Sequence, residues 1–292
     1  MDQSTFLEPG ISMKTKQKHI YDYEIDITSD TAQANVIRLV GSNKRVLEIG
    51  CGPGSITKLL CKHFNCMVTG IELDSEAIKL AAPYCERIMQ ADLNSSEWPN
   101  LMDDVEKFDV VIAADVLEHL YDPWMTLQRM TSLINSDGFL VISLPHVGHA
   151  AIISCLVNGD FAYGEWGLLD RTHIRFFGLK NIEALFVQAH LKIIEAKYVI
   201  RHPEETEFAS SWLKLEPTLR DVLLSGMYSQ VYQVVVKVVP VSYAGMAVPL
   251  VPPERHPISA KVALWKSRLG RHLSPRMQEC IHECYSLLKI KL

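Results

Sequence analysis

The stretch Val46-Leu47-Glu48-Ile49-Gly50-Cys51-Gly52-Pro53-Gly54 decides the fold, because an apolar strand with one acid runs directly into a turn dense in glycine. The glycines leave no side chains at this turn, so the backbone can approach a ligand closely. Residues 55–63 can start a helix above it, and Glu72 closes a strand-like run over residues 67–71. An acid at that place can accept hydrogen bonds from ribose hydroxyls, as in nucleotide-binding βαβ units. The pattern therefore indicates a site for a ligand that contains a nucleoside.

Acids follow the ends of successive strands around this turn. They are Glu48, Glu72, Asp92, Asp115 and Glu118. The third glycine comes one residue too early for the G-x-G-x-x-G spacing that places a pyrophosphate at a helix start, and Ser55 takes its place. Because carboxylates repel a pyrophosphate and favour a cation, the site predicts a ligand with an ammonium and a sulfonium. S-adenosylmethionine is such a ligand.

Five motifs in register make the chain similar to class I S-adenosylmethionine-dependent methyltransferases over roughly residues 20 to 240. They are Glu48 to Gly54, Gly70 to Asp74, Gln90 to Leu93, Phe108 to Leu120 and Asn135 to Ser143. The resemblance implies that the glycine loop faces the methionine end of the cofactor, that Glu72 binds the ribose and that Asp92 meets the adenine amine. The cofactor-binding residues expected on this basis are Glu48, Gly50, Cys51, Gly52, Gly54, Glu72, Leu73, Asp92, Leu93, Asp115 and Val116.

Runs rich in valine and isoleucine alternate with segments of helix length, which predicts an α/β fold with a doubly wound, mostly parallel sheet and helices on both faces. These runs lie at 46–49, 67–71, 87–90, 108–113 and 139–144. A first helix is expected to have Ser29 or Asp30 as its cap and Gly41 at its end. A helix near 179–189 and strands at 192–200 and 230–239 follow. The resemblance implies that the last strand runs antiparallel in a seven-stranded Rossmann-like sheet.

The composition fits one full α/β core with residues to spare. The 292 residues are 48% hydrophobic and carry a net charge of −5, and the seven cysteines form no C-x-x-C pair, which favours a reducing compartment. Without a signal peptide or a long apolar run, the expected location is cytoplasmic. The expected organisation is an N-terminal arm (1–28), a methyltransferase domain (29–239), a proline-rich linker (240–257) and a basic amphipathic helical tail (258–292), which forms a C-terminal helical extension.

Eight lysines or arginines stand against three glutamates from Glu254 to Leu292. Such a tail can lie on the inner face of an anionic membrane or contact a partner such as a glycosyltransferase. Packing on its own domain or in a homodimer stays open as the alternative. Near the other end, Tyr21 and Tyr23 precede the first helix and could close over the cofactor; packing at the surface is an equal possibility.

The stretch from His146 to Phe177 departs most from the minimal fold and is expected to form a lid over the acceptor, because it begins at the carboxyl ends of the strands. Its mixture of aromatic, histidine, aspartate and arginine residues suits a pocket for a polar substrate. A loop that only covers the core or mediates dimerisation stays open.

Two segments resemble one particular subgroup of this family. The lid from Gly164 to Phe177, together with Glu118 to Pro123, resembles a bacterial methyltransferase subgroup associated with cell-surface polysaccharide biosynthesis. This implies a sugar or glycan precursor as the small-molecule acceptor. Because the second segment is shared with methyltransferases of quinone biosynthesis, a quinone-type O-methyltransferase stays open. So does a non-catalytic scaffold that binds the cofactor within a glycan-assembly complex.

Methyl transfer by in-line displacement requires alignment and, for a hydroxyl acceptor, a base. The candidate catalytic residues are His173, His146, Asp170 and His119. His173 and His146 are the first choices as substrate-side groups, whereas His119 could instead cap the next helix or line the cofactor pocket. No cluster of histidine and acid stands out at metal-ligand spacing, which predicts no metal dependence. The acidic methylating domain lacks a basic groove, which argues against a nucleic-acid partner.

Overall fold

A computed structural model describes residues 24–251 of the chain. The expected tail, the two tyrosines before the first helix and most of the N-terminal arm lie outside these described residues. A seven-stranded sheet with the order β3-β2-β1-β4-β5-β7-β6 forms the centre of the described part. Strands β1 to β5 pair in parallel, and β7 runs antiparallel between β5 and β6. The predicted fold class and the antiparallel last strand are therefore confirmed.

The strands form where the valine- and isoleucine-rich runs stand. They are β1 Arg45–Ile49, β2 Met67–Glu72, β3 Arg87–Gln90, β4 Phe108–Ala114, β5 Ile134–Pro145, β6 Leu191–Ile200 and β7 Val231–Pro240. Only β5 begins well before the predicted position. Its first residue, Ile134, pairs with Phe108, and the register then shifts so that Phe139 pairs with Val110.

Helices fill the segments between the strands. They are α1 Ala32–Val40, α2 Ser55–Phe64, α3 Ser75–Ala81, α4 Pro123–Ser132, α5 Ala150–Val157, α6 Leu179–Gln188, α7 Ala209–Leu213 and α8 Pro217–Leu224. The predicted cap of α1 was wrong. Thr31 caps it by accepting the Ala34 N–H at 3.3 Å, whereas the Ser29 hydroxyl donates to the Asp26 carbonyl at 2.6 Å. Gly41 ends the helix with a φ of 75°, as predicted.

Two apolar layers enclose the sheet, because alternate strand residues point to opposite faces. On one face, residues such as Leu47 and Val111 pack with Leu127 of α4 and Phe186 of α6. On the other face, the intervening residues, such as Val46, pack with α1 and α2. Both faces being covered explains why the central strands read as nearly continuous apolar runs.

Residues 241–251, expected to begin the proline-rich linker, pack against the domain. Pro240 is itself the last residue of β7, where it pairs with Leu191. Leu250 is buried in the larger core, and its N–H donates to Glu183 at 2.8 Å. The chain therefore remains part of the domain to the end of the described residues. Within residues 24–251, no helix is long and apolar enough to cross a membrane.

Candidate active site

The glycine loop connects β1 to α2 at the carboxyl edge of the sheet. Gly50, Gly52 and Gly54 have φ angles of 63°, 53° and 84°, a region that side chains disfavour. A Cβ at Gly50 would lie 2.7 Å from Val116 Cγ2, whereas a Cβ at Gly52 would have no heavy atom of residues 24–251 within 4 Å. The loop therefore packs tightly at Gly50 and leaves open space above Gly52.

Glu72 at the end of β2 fixes the position of this loop. Its Oε2 accepts the Gly52 N–H at 2.8 Å, and its Oε1 accepts the N–H groups of Leu73 at 2.8 Å and Asp74 at 2.9 Å. A carboxylate has about four acceptor sites, so about one remains for a ligand hydroxyl. Glu72 therefore holds the loop in position, and its contact with a ribose stays a prediction.

Glu48 precedes the loop and Cys51 belongs to it, and both side chains are buried. Glu48 is 3% exposed and accepts the Thr57 hydroxyl at 2.6 Å. Burial raises the pKa of its carboxyl to about 7, although the bond from Thr57 opposes this and Glu72 adds to it. The Cys51 thiol is also buried, and burial raises its pKa. These two expected cofactor residues support the loop from within the core, and Cys51 is not poised as a nucleophile.

Asp115 stands directly after β4 in the left-handed region, with a φ of 55°. Its Oδ1 accepts the Ser143 hydroxyl at 2.6 Å and the Gln233 amide at 3.0 Å, while the Gln33 amide lies 3.5 Å from Oδ2. Burial raises the pKa of this carboxyl against those bonds. The sequence prediction missed these three partners. The antiparallel direction of β7, which brings its first residues to the carboxyl edge, could have indicated Gln233.

The remaining expected cofactor residues lie along the same edge. Asp92 is exposed and accepts the Asn94 N–H at 2.8 Å, while Leu93 is buried. The Leu73 side chain is 59% exposed, and Val116 is buried against Gly50.

Glu118, His119 and His173 come together at the exit of β4, and these three residues are called the Glu118 cluster below. Glu118 is fully buried, and within the described part of the chain neither of its carboxylate oxygens has a hydrogen-bond partner. Nε2 of His173 lies 3.9 Å from Glu118 Oε1, and the His119 and His173 rings meet edge to face with centroids 4.7 Å apart. Burial raises the pKa of Glu118, and the nearby Asp115 and Asp170 charges raise it further.

The lid sets the orientation of the two imidazoles. Nδ1 of His119 lies 3.0 Å from the Thr172 hydroxyl, which itself donates to Asp170 Oδ1 at 2.7 Å. Nδ1 of His173 lies 3.2 Å from the Leu168 carbonyl. Because both acceptors require an N–H, each Nδ1 carries the proton and each Nε2 keeps a lone pair. Burial, with a smaller contribution from His119, lowers the pKa of His173 to about 4. Asp170 accepts the Thr172 hydroxyl and thereby orients the group that holds His119.

His146 belongs to a different environment from the Glu118 cluster. It is 4% exposed, its Nδ1 lies 3.1 Å from the Val231 carbonyl, and its ring meets Tyr228 edge to face. Burial lowers its pKa. The sequence ranks His146 with His173 as a substrate-side group; the structure places its ring in a buried position at the end of β5, apart from the Glu118 cluster. Of the three candidate histidines, His119 is the one that is partly exposed.

One hydrogen bond joins the two ends of the lid to each other, and other contacts fasten its middle to the domain. Near its start, Val147 N–H donates to the Phe177 carbonyl at 2.9 Å. Near its middle, Glu207 accepts the Leu168 N–H at 2.8 Å and the Tyr232 hydroxyl at 3.0 Å. Its outer part carries an aromatic group in which Phe161 meets Tyr163 and Phe176 edge to face.

Comparison with known proteins adds the following similarities. A family described as "Methyltransferase domain" matches residues 24–196. The ubiquinone biosynthesis O-methyltransferase of Coxiella burnetii is 24% identical over 167 residues, which cover 56% of this chain and 70% of that protein. The corresponding protein of Glaesserella parasuis is 31% identical over 124 residues, or 40% and 52% of the two chains. A solved structure described as an S-adenosylmethionine-dependent methyltransferase, possible histamine N-methyltransferase, from Thermotoga maritima is 16% identical and covers 71% of this chain and 87% of its own, with a TM-score of 0.48.

Proposed function

This chain belongs to the family of methyltransferase domains, and we propose that it transfers a methyl group from S-adenosylmethionine to a hydroxyl of a small polar acceptor, with a sugar or glycan precursor as the acceptor class. The observation that supports this is the place where the lid is attached to the domain. The N–H groups of Ile174 and Arg175 donate to the Glu118 carbonyl at 3.0 Å and 2.9 Å. The lid thereby lies next to the acids and glycines expected to hold the cofactor.

The residues at the glycine loop fit the cofactor in shape and charge. The open space above Gly52 offers side-chain-free backbone, and Glu72 retains about one acceptor site for a ribose hydroxyl. The acids at this edge suit an ammonium and a sulfonium. When bound, S-adenosylmethionine supplies a methyl group activated by the sulfonium, which leaves as a neutral thioether after displacement.

The protein's own contribution is alignment and removal of the acceptor proton. The Thr172 hydroxyl holds His119 with Nε2 unprotonated on the side away from Asp170. His119 is also the partly exposed member of the Glu118 cluster. We assign deprotonation of the acceptor hydroxyl to this cluster, a step that contributes typically about 10² to 10⁴ in rate.

The aromatic side of the lid supports a ring-shaped acceptor. Tyr163 and Phe176 are 61% and 37% exposed and present flat apolar faces, while the neighbouring Arg171 pairs with Glu165 at 2.8 Å. Flat aromatic faces beside charged groups suit a sugar ring, which has apolar faces and polar edges.

A second candidate is a quinone-type O-methyltransferase that acts on a phenolic hydroxyl. Its support is that the relatives from Coxiella burnetii and Glaesserella parasuis carry the name ubiquinone biosynthesis O-methyltransferase. A phenol also releases its proton more readily than a sugar hydroxyl. A phenolic acceptor would therefore need less assistance from a histidine base.

The acceptor class is tested by incubating the full-length protein with S-adenosylmethionine and two panels, one of nucleotide-linked sugars and one of catechols. We expect methylated sugar products, identified by mass spectrometry. Methylation of the catechols alone would replace the first candidate with the second. Cofactor binding without any product, also in extracts of the source cells, would favour a non-catalytic scaffold.

The residue assignments are tested with two pairs of variants. Glu72→Gln places an amide against three N–H donors and should weaken cofactor binding by about 1–3 kcal/mol, whereas Glu76→Gln, on the exposed start of α3, should not. His119→Asn should lower kcat and leave cofactor affinity unchanged, with His63→Asn on the exposed face of α2 as its control. Loss of cofactor binding in His119→Asn would contradict the assignment.

A further inference from the structure

The carboxylate of Glu118 is fully buried, and neither of its oxygens has a hydrogen-bond partner among residues 24–251. A buried polar group without a partner costs free energy, and a buried charge costs more unless a cation faces it. The nearest basic atom is His173 Nε2 at 3.9 Å, which is beyond hydrogen-bond distance. A cation bound beside this carboxylate would supply the partner that its two oxygens lack among the described residues.

The imidazoles of His119 and His173 lie close to this carboxylate. Nδ1 of His119 and of His173 is engaged by Thr172 and by the Leu168 carbonyl, respectively. This leaves Nε2 of both rings with a lone pair. Histidines that bind metals almost always donate the other ring N–H to a carbonyl, a carboxylate or a similar acceptor. Both rings have this arrangement, because Nδ1 of each donates to an oxygen and Nε2 is left for a metal ion.

We propose that the Glu118 cluster binds one divalent transition-metal ion, with Zn²⁺ as the best chemical match. The three ligand atoms all lie within 4.8 Å of one another. A tetrahedral ion with bonds of about 2.1 Å holds its ligands roughly 3.4 Å apart, so the most distant pair of atoms must approach by up to about 1.4 Å. Rotation of the partly exposed His119 ring and a small movement of the lid supply such a shift.

The ligand set selects the class of ion. Two imidazoles and one carboxylate are typical of catalytic zinc and of non-haem iron(II), whereas Mg²⁺ and Ca²⁺ prefer oxygen ligands. Three protein ligands also leave one coordination position open. The sequence predicts no metal, because His119 follows Glu118 directly while the third ligand comes from the lid, and only the fold brings them together.

The catalytic consequence rests on the proposed function. An acceptor hydroxyl at the open position would have its pKa lowered by the ion. Because His119 Nε2 would then be a ligand and not a free base, the O–H bond would break with its proton passing to solvent, and the ion would carry the cluster's part in the deprotonation. The oxygen keeps the electron pair, which forms the new bond to the methyl carbon while the C–S bond breaks and leaves its pair on sulfur.

The test measures metal binding to the full-length protein after treatment with a chelator and in the absence of cofactor and acceptor. Bound Zn²⁺ is counted after dialysis, and Co²⁺ is followed by its visible absorption. Because cysteines and other histidines can bind Zn²⁺, the informative quantity is the equivalent lost in variants. We expect Glu118→Gln and His173→Ala to bind one equivalent fewer than the unaltered protein, and His63→Ala to bind the same number.

A fourth variant separates ligation from loss of folding. Thr172→Val keeps the shape of the side chain but removes the partner of His119 Nδ1, and it should weaken Zn²⁺ binding by about 10–100-fold. Circular dichroism confirms that each variant is folded. Equal numbers of Zn²⁺ equivalents in folded Glu118→Gln and in the unaltered protein would overturn the proposal. Zn²⁺ bound at the cluster of a protein that methylates no acceptor would leave the site standing and refute the proposed function.

Discussion

Gly50 and Val116 are in contact where β1 and β4 end, and a Cβ at Gly50 would lie 2.7 Å from Val116 Cγ2. Contacts of this length are not found for real Cβ atoms, so one of the two segments would have to move. Gly50 also has a φ of 63°. Glycine is therefore required there for both conformation and space, and this contact ties the glycine loop to the loop that carries Asp115 and Glu118.

Gly50→Ala should lower the free energy of unfolding by more than the roughly 1–2 kcal/mol that the left-handed conformation alone costs. The matched control is Gly52→Ala, since Gly52 has a similar φ of 53° but, among the described residues, no heavy atom within 4 Å of an added Cβ. Urea unfolding of both variants measures the difference. Adding Val116→Ala to Gly50→Ala should recover part of the loss. Equal losses in the two single variants would show that Val116 is not the obstacle.

Gly52→Ala should instead act on the cofactor. Its methyl group would project into the open space that we assign to S-adenosylmethionine, and cofactor affinity should fall while the fold persists. Isothermal titration with S-adenosylmethionine measures the effect. Gly41→Ala serves as the control for conformational strain, because Gly41 has a φ of 75° but precedes β1, at the opposite edge of the sheet. A cofactor affinity equal to that of Gly41→Ala would place the cofactor elsewhere.

Local sequence patterns were sufficient to predict the sheet and the cofactor loop. A strand buried on both faces shows as an apolar run, and a turn that needs positive φ shows as glycine, so β1 and Gly50 to Gly54 could be located directly. The cap of α1 was predicted one or two residues too early, because Ser29, Asp30 and Thr31 are all residues that commonly cap helices. The Ser29 hydroxyl donates to the Asp26 carbonyl instead, and the cap is Thr31. Helix α8 was not predicted, although Pro217 at its first turn signals its start.

The acceptor side could not be derived in the same way. His119 and His173 were recognised as candidates, but their contact depends on the lid returning to the β4 exit, which no local pattern encodes. His146 was ranked first with His173 because it follows β5. Its burial against Tyr228 and the Val231 carbonyl comes from β7, whose direction sets which side chains meet it.

Glu48 should make stability depend on pH. Burial raises the pKa of its carboxyl to about 7, above the unfolded value near 4.5. The folded protein therefore keeps a proton that the unfolded chain loses, and stability falls as the pH rises from about 4.5 to about 7. The contribution that is fully present below pH 4.5 and lost above pH 7 is on the order of 3 kcal/mol.

Glu48→Gln should remove this dependence, because an amide keeps the acceptor for the Thr57 hydroxyl and carries no charge. Urea unfolding at intervals from pH 5 to pH 8 measures the difference between the variant and the unaltered protein, so that other titrating groups cancel. The advantage of the variant should grow with pH up to about 7 and then level off. A constant difference over this range would mean that the Glu48 carboxyl is ionised in the folded protein throughout.

Tyr232 should control the position of the lid. Its hydroxyl donates to Glu207, which also accepts the Leu168 N–H at 2.8 Å, and Gly167 leaves no room for a side chain beside that carboxylate. Tyr232→Phe would leave a half-buried carboxylate with one fewer donor, at a cost of about 1–3 kcal/mol. The Leu168 carbonyl, which orients His173, would then lose its fixed position.

We therefore expect Tyr232→Phe to raise KM for the acceptor and lower kcat, with S-adenosylmethionine affinity unchanged. Tyr243→Phe is the control, since its hydroxyl donates to the Asn135 carbonyl at 2.8 Å near the start of β5, away from the lid. Both variants should lose stability, as followed by thermal unfolding, but only Tyr232→Phe should change the acceptor kinetics. Because Glu207 lies between Tyr232 and the lid, Glu207→Gln should reproduce the kinetic change; normal kinetics in that variant would mean that the lid is held by other contacts.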